Sequence, residues 1–179
     1  MNICVYGAAS TTIDSSFLEA GEALGREMAK RGHSLVFGGG ASGMMGAVVR
    51  GVAEMKGSSI AIVPSFFNVD GVLFENCTEQ IFTETMRERK QLLEQKSDAF
   101  FVTPGGIGTF DEFFEIFTLR SLDCHKKPIV LLNFNGYFDK LINFLDYSVK
   151  ENFISPEVME LLTVTDDIVE AIGIVEAGV

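Results

Sequence analysis

The chain predicts a doubly wound α/β fold, a parallel sheet covered by helices on both faces, built as a single domain over residues 1–179. Three observations predict it. Short, near-continuous apolar runs alternate with segments of helical period, the pattern of strands buried on both faces. Several of these runs end in turns of small residues, Gly7-Ala8-Ala9-Ser10, Gly38-Gly39-Gly40 and Pro104-Gly105-Gly106. A length of 179 residues, 47% of them hydrophobic and 22% charged, suits one globular domain.

The elements follow in order. Ile3-Cys4-Val5-Tyr6 is a short apolar strand that meets Gly7. Phe17 to Arg31 places Phe17, Ala20, Leu24 and Met28 on one helical stripe and closes at Gly32. Ser34 to Phe37 is the second strand, Met44 to Lys56 a small-residue helix stopped by Gly57, and Ser59 to Val63 the third strand, ended by Pro64. Residues 65–78 are irregular and aromatic, a loop suited to cover a site. Gln80 to Thr83 is a short strand and Met86 to Ser97 a charged helix. Ala99 to Val102 is a strand, followed by a helix from Thr109 to Leu122. Pro128 to Leu132, Tyr137 to Glu151, Leu161 to Val164 and Asp167 to Ile174 complete the alternation as strand, helix, strand and helix. Parallel strands need crossover connections, and such sheets hold ligands beyond the C-terminal strand ends. The three small-residue turns therefore share one rim.

The chain carries 25 Asp and Glu against 14 Lys and Arg, a formal charge of −11. That balance argues against nucleic acid as a partner, because phosphate contacts along a polymer need clustered cations. One small phosphorylated ligand needs only local donors. Cys4, Cys77 and Cys124 lack metal-site or disulfide-framework spacing, and no metal-ligand pattern stands out. The first residues carry no basic leader. The longest apolar run, Pro128 to Phe134, is far short of the ~18 residues of a membrane helix. The expectation is a cytoplasmic protein without membrane attachment.

Gly38-Gly39-Gly40-Ala41-Ser42-Gly43 matches G-x-G-x-x-G, yet the next strand ends Ala61-Ile62-Val63-Pro64 without the acid a dinucleotide ribose requires. Gly39, Gly40 and Gly43 either contact a ligand or let strand and helix pack closely. Pro104-Gly105-Gly106-Ile107-Gly108-Thr109 says more. Its glycines can turn backbone N–H groups toward a ligand, and a helix opening at Thr109 would favour an anion at its N-terminus. Thr109-Phe110-Asp111-Glu112 also spells a capping box, in which Glu112 would bond back to the Thr109 backbone. Met86-Arg87-Glu88-Arg89-Lys90 is the one concentrated basic run. It is either a solvated helix face or, because it precedes the strand bearing the glycine turn, a source of cations for the same rim. His33 and His125 have no Ser or Cys partner that would make a triad.

These residues together resemble a known family. Met86-x-x-Arg89-Lys90 followed by Pro104-Gly105-Gly106-x-Gly108-Thr109-x-x-Glu112 is similar to the signature of the LOG proteins, cytokinin riboside 5′-monophosphate phosphoribohydrolases often mislabelled as lysine decarboxylases. Gly38-Gly39-Gly40-x-x-Gly43-Met44-Met45-Gly46, His125-x-Lys127-Pro128 and Gly136-Tyr137-Phe138 also fit. The resemblance implies a Rossmann-like three-layer α/β/α fold, a homodimer or larger homo-oligomer, and no cofactor. It implies hydrolysis of the N-glycosidic bond of a nucleoside 5′-monophosphate, with an N6-modified adenine or adenine itself as the base. Carried onto this chain, Arg89 and Glu112 are the catalytic pair. Gly105, Gly106, Ile107, Gly108 and Thr109 hold the phosphate, while Met86, Lys90 and Thr118 line the nucleotide site. An acidic residue before the basic helix corresponds to Glu75.

The chain also departs from the family. Leu119 stands where a Trp often follows the matched threonine, and the 65–78 loop is Phe-rich with few matches. Both departures bear on the base rather than the reaction. Cleavage builds positive charge on the ribose, which a carboxylate such as Glu112 can stabilise. Arg89 beside it is expected to lower its pKa. The competing readings are a non-catalytic nucleotide sensor and a molybdenum-cofactor carrier, which shares the glycine turns.

Overall fold

The computed structural model describes residues 1–67 and 71–178; residues 68–70, in the middle of the expected loop over the site, lie outside the described residues. The apolar runs become seven strands: β1 (Asn2–Tyr6), β2 (Ser34–Phe37), β3 (Ser59–Pro64), β4 (Glu79–Thr83), β5 (Ala99–Val102), β6 (Ile129–Leu132) and β7 (Leu162–Thr165). They form one parallel sheet in the order β4-β3-β2-β1-β5-β6-β7. The helices between them are α1 (Ser15–Lys30), α2 (Gly43–Glu54), α3 (Met86–Gln95), α4 (Ile107–Ser121), α5 (Asp139–Lys150), α6 (Pro156–Met159) and α7 (Ile168–Ala177).

Strand alternation sorts the core into two layers. Ile3 and Val5 of β1 face one side with Leu24 and Met28 of α1, Val48 of α2 and Ile172 of α7. Cys4 and Tyr6 face the other with Leu93 of α3, Phe113 of α4 and Leu145 of α5. This is the expected three-layer α/β/α arrangement. The chain winds outward from β1 to β4, returns through α3, and winds the other way from β5 to β7. The winding reverses between β1 and β5, so a crevice opens beyond their C-terminal ends. Three hydrogen bonds among the described residues tie the two strand ends at that mouth: the Thr103 amide and Thr103 Oγ1 both donate to the Tyr6 carbonyl, at 2.9 and 2.7 Å, and the Ala8 amide donates to the Pro104 carbonyl at 3.1 Å.

Two local expectations change. The helix after the glycine turn begins at Ile107, with Gly106 as its N-cap and no capping side chain. Thr109 therefore lies inside α4, and Glu112 makes no capping box with it. The box instead closes α3, where the Glu88 amide donates to Thr85 Oγ1 at 3.2 Å and Glu88 Oε2 accepts from the Thr85 amide at 3.1 Å. The short helix α6 lies between α5 and β7, with Pro156 in its first turn, where the missing N–H costs nothing. Among the described residues, no helix is long and apolar enough to cross a membrane.

Candidate active site

A cleft of about 390 Å³ lies at the reversal point, within the range of small-molecule sites. Gly7, Ala8, Ala9 and Ser10, after β1, form one wall. Gly106, Gly108 and Thr109, at the start of α4, form the other. The small residues let the backbones of both walls approach the space between them. Without a capping side chain on Gly106, the first amides of α4 and the helix dipole remain free to bind an anion.

Arg89 and Glu112 line the same cleft. Arg89 Nη1 donates to Glu112 Oε1 at 2.7 Å, with both side chains nearly buried. Arg89 Nε also donates to the Ile62 carbonyl of β3 at 3.2 Å. The capping box fixes where α3 begins, and so where Arg89 emerges one turn later. Gly38 completes the seat, since a methyl group there would collide with the guanidinium. A buried ion pair is weak evidence for stability, because desolvation offsets much of its attraction. One held at the mouth of a cleft is better evidence for chemistry.

Glu112 titrates above the ordinary carboxylate range. Burial is the largest cause; Arg89 opposes it, and Asp111 adds to it. The expectation that Arg89 would lower this pKa is correct for its contribution and wrong for the balance, because the loss of solvation outweighs the cation. Such a carboxyl is suited to proton transfer nearer neutrality.

Of the remaining expected site residues, Met86 reaches the cleft and several others do not line it. Lys90 Nζ pairs with Asp111 at 3.1 Å and with Glu115, clamping α3 to α4. Ile107 and Thr118 lie in a separate groove on the outer side of α4, together with Phe114 and Leu119. Glu75 is exposed in the loop before β4 and is not among the lining residues. Gly105 sits behind the turn, where its carbonyl accepts from the Tyr137 hydroxyl at 2.6 Å. Gly39, Gly40 and Gly43 also lie outside the lining. The Gly39 carbonyl accepts from the Phe74 amide at 2.9 Å, and Gly40 bridges to Leu73. Gly43, at φ +61°, has the Ala8 carbonyl where a methyl group would go.

Met45, Phe67 and Asp111, which also line the cleft, were not among the expected site residues, although the aromatic 65–78 loop was expected to lie over a site. Nor were Gly7–Ser10, although their turn was placed on the rim. The signal for the last was the small-residue run itself. Met45 and Phe67 carry no spacing that would have marked them.

Known proteins place the chain in a family. A family model described as "Possible lysine decarboxylase" matches residues 45–175. A cytokinin riboside 5′-monophosphate phosphoribohydrolase of Mycobacterium tuberculosis is 39% identical over 95% of this chain and 90% of its own length. One from Arabidopsis thaliana is 38% identical over 89% of this chain and 74% of its own. Solved structures share the fold. A molybdenum cofactor carrier protein of Chlamydomonas reinhardtii superposes with TM-score 0.69 at 23% identity, over 98% of this chain and 96% of that one. A molybdenum cofactor binding protein of Rippkaea orientalis gives TM-score 0.70 at 18% identity, over 98% of this chain and 94% of that one. Fold and site thus define an α/β protein of the Rossmann type, with a cleft at its topological switch point walled by glycine turns and a buried Arg–Glu pair. The chain belongs to the LOG family, the group covered by the lysine decarboxylase description.

The site does not fit the pyridoxal cofactor that this description implies. No lysine is among the described residues lining the cleft. Lys90, the nearest candidate, has its pKa raised by its bonds to Glu115 and Asp111, whereas a Schiff-base amine needs it lowered.

Proposed function

We propose that this protein hydrolyses the N-glycosidic bond of nucleoside 5′-monophosphates, releasing the free base and ribose 5-phosphate, with adenosine monophosphate and its N6-modified forms as substrates. The observation that carries the reading is the buried 2.7 Å pair of Arg89 and Glu112, set beside a helix N-terminus without a capping side chain. Phosphate binding alone needs no carboxylate, and a carboxylate beside an anion site suits a reaction that develops positive charge. The names of the relatives support the same chemistry.

In this mechanism the phosphate rests on Gly106, Gly108 and Thr109, and its binding energy orients the ribose. Glu112 faces the ribose, stabilises the oxocarbenium-like charge as the C1′–N bond breaks, and directs the attack on C1′. Water supplies the hydroxyl that ends on C1′ and the proton that ends on the departing base. Arg89 holds the Glu112 carboxylate in place. Lys90 fixes α3 against α4 through Asp111 and Glu115 and does not touch the nucleotide within one chain. The whole chain acts as one domain in the cytoplasm, as a homodimer, without nucleic acid or membrane. The exposed apolar residues of α4 and its C-cap, Ile107, Phe114 and Leu122, support the dimer.

Product analysis over AMP, isopentenyladenosine monophosphate and other nucleoside monophosphates tests the reaction, with free base and ribose 5-phosphate expected together. Glu112→Gln should lower kcat by about 10²- to 10⁴-fold while the circular dichroism spectrum is retained. Tight AMP binding without product from any substrate would replace the hydrolase by a nucleotide sensor.

A further inference from the structure

We propose that Phe67 is the base platform of the cleft, on which the nucleobase stacks, so that the protein favours the larger flat face of a purine. The inference rests on the nucleotide reading above and names the part of the substrate that the reading leaves open.

Strand order places the two ends of the ligand. From the glycine turn after β5, the rim passes β1 and β2 before reaching β3, three inter-strand spacings or about 14 Å. Gly106, Gly108 and Thr109 occupy the β5 end, whose helix N-terminus suits the phosphate. Phe67 follows β3 at the opposite end, in the single 3-10 turn Ser65–Phe67. A nucleotide with its phosphate on α4 and its ribose at Glu112 therefore extends its base toward Phe67.

The ring is presented and braced. Ser65 Oγ donates to the Thr83 carbonyl of β4 at 3.1 Å, which anchors the turn. The ring of Phe66 lies 4.8 Å from that of Phe67 at a 57° tilt. Phe67 is nonetheless 46% exposed, an apolar ring left open to the cleft. It is the one aromatic side chain among the described lining residues.

What surrounds it decides how a base would be read. Among the described lining residues, the other large apolar side chains are Met45 and Met86, adaptable thioethers without strong donors or acceptors, and the Arg89 guanidinium is engaged by Glu112 and the Ile62 carbonyl. Of the hydroxyls near it, Ser65 Oγ is taken up by the Thr83 carbonyl, and Ser10 Oγ, across the cleft lining, bonds within its own turn to Thr12 Oγ1 at 3.0 Å. Every base has a π-face, and stacking on an aromatic ring is tolerant of base identity. A purine offers the larger face.

The test uses the full chain and its Phe67→Ala, Phe67→Leu and Phe67→Trp variants, with AMP, IMP and CMP as substrates and ribose 5-phosphate as competitive inhibitor. For the unaltered protein, KM for AMP and IMP should agree within about threefold and KM for CMP should be about tenfold higher. Phe67→Ala should raise KM for AMP and IMP about tenfold, leave kcat within about twofold, and leave the inhibition constant of ribose 5-phosphate unchanged. Phe67→Leu should behave like Phe67→Ala, and Phe67→Trp should restore the KM. An unchanged KM for AMP in Phe67→Ala overturns the platform, as does an equal rise in the ribose 5-phosphate constant. Calorimetry separates this failure from failure of the hydrolase reading. If no substrate is cleaved, yet Phe67→Ala weakens AMP binding and spares ribose 5-phosphate, the reaction is wrong and the platform stands. If the unaltered protein binds neither AMP nor ribose 5-phosphate, both fall.

Discussion

Two glycine turns sit on the same rim and do different things. In the Gly38–Gly43 turn, added methyl groups meet protein: Arg89 at Gly38, Val63 at Gly39 and the Ala8 carbonyl at Gly43. In the second turn, Gly106 and Gly108 have nothing within 4 Å of where a methyl would go, and both line the cleft. The first turn uses its glycines for close internal packing and for the seat of Arg89. The second leaves open space at the mouth of the cleft. A glycine pattern alone does not separate these uses; the neighbours of each missing side chain do.

The contrast is broken most severely at Gly38. A methyl there must displace the Arg89 guanidinium, which Ile62 and Glu112 otherwise hold. Gly38→Ala should lower kcat about a hundredfold, the scale of a misplaced catalytic group. It should cost about 1–3 kcal/mol of stability from overpacking, read by chemical denaturation. Full activity in this variant would mean that the Arg89–Glu112 geometry is not needed for turnover.

Gly108→Ala sharpens the contrast from the other side. Gly108 lies within the first turn of α4, where alanine is the better helix former by about 0.5–1 kcal/mol. The variant should therefore be slightly more stable than the parent. If the phosphate rests here as proposed, the added methyl would intrude on it and KM for AMP should rise about tenfold, the cost of roughly one lost hydrogen bond. A stable variant with unchanged KM and unchanged ribose 5-phosphate inhibition would remove the phosphate from this turn.

The fold was largely legible because its signals are local. Continuous apolar runs, helical stripes and glycine stops mark the elements within a few residues, and alternation of strand and helix limits the topology. The site was legible where the motif coincides with the crossover: α3 returns to the centre of the sheet, so Arg89 meets Glu112 from a distant part of the chain. Local ambiguity misled at Thr109, where T-x-x-E reads as a cap, whereas Gly106 is the N-cap and the helix already begins at Ile107. The roles of Lys90, Thr118 and Glu75 depended on which way a side chain leaves its element, which no spacing records. The bond from Tyr137 to Gly105 depends on tertiary approach that no spacing records, and the Phe-rich 65–78 loop marked a region over the site without singling out Phe67.

The smallest effect concerns the charge beside the pair. Asp111 borders the cleft and raises the Glu112 pKa, after the larger effects of burial and Arg89. If Glu112 acts ionised, kcat/KM falls on the acid side as this carboxyl takes up its proton. The group is raised in the folded protein, so that fall begins at a higher pH than an ordinary glutamate would give. Asp111→Asn removes one raising charge, and the acid limb should move to lower pH with the plateau nearly unchanged. Lys90 keeps Glu115 as a partner, so α3 and α4 stay joined and the fold is little affected. A pH profile of kcat/KM for AMP in both proteins reads the shift. A limb that stays in place, or moves upward, would show that the acid limb belongs to a group other than Glu112.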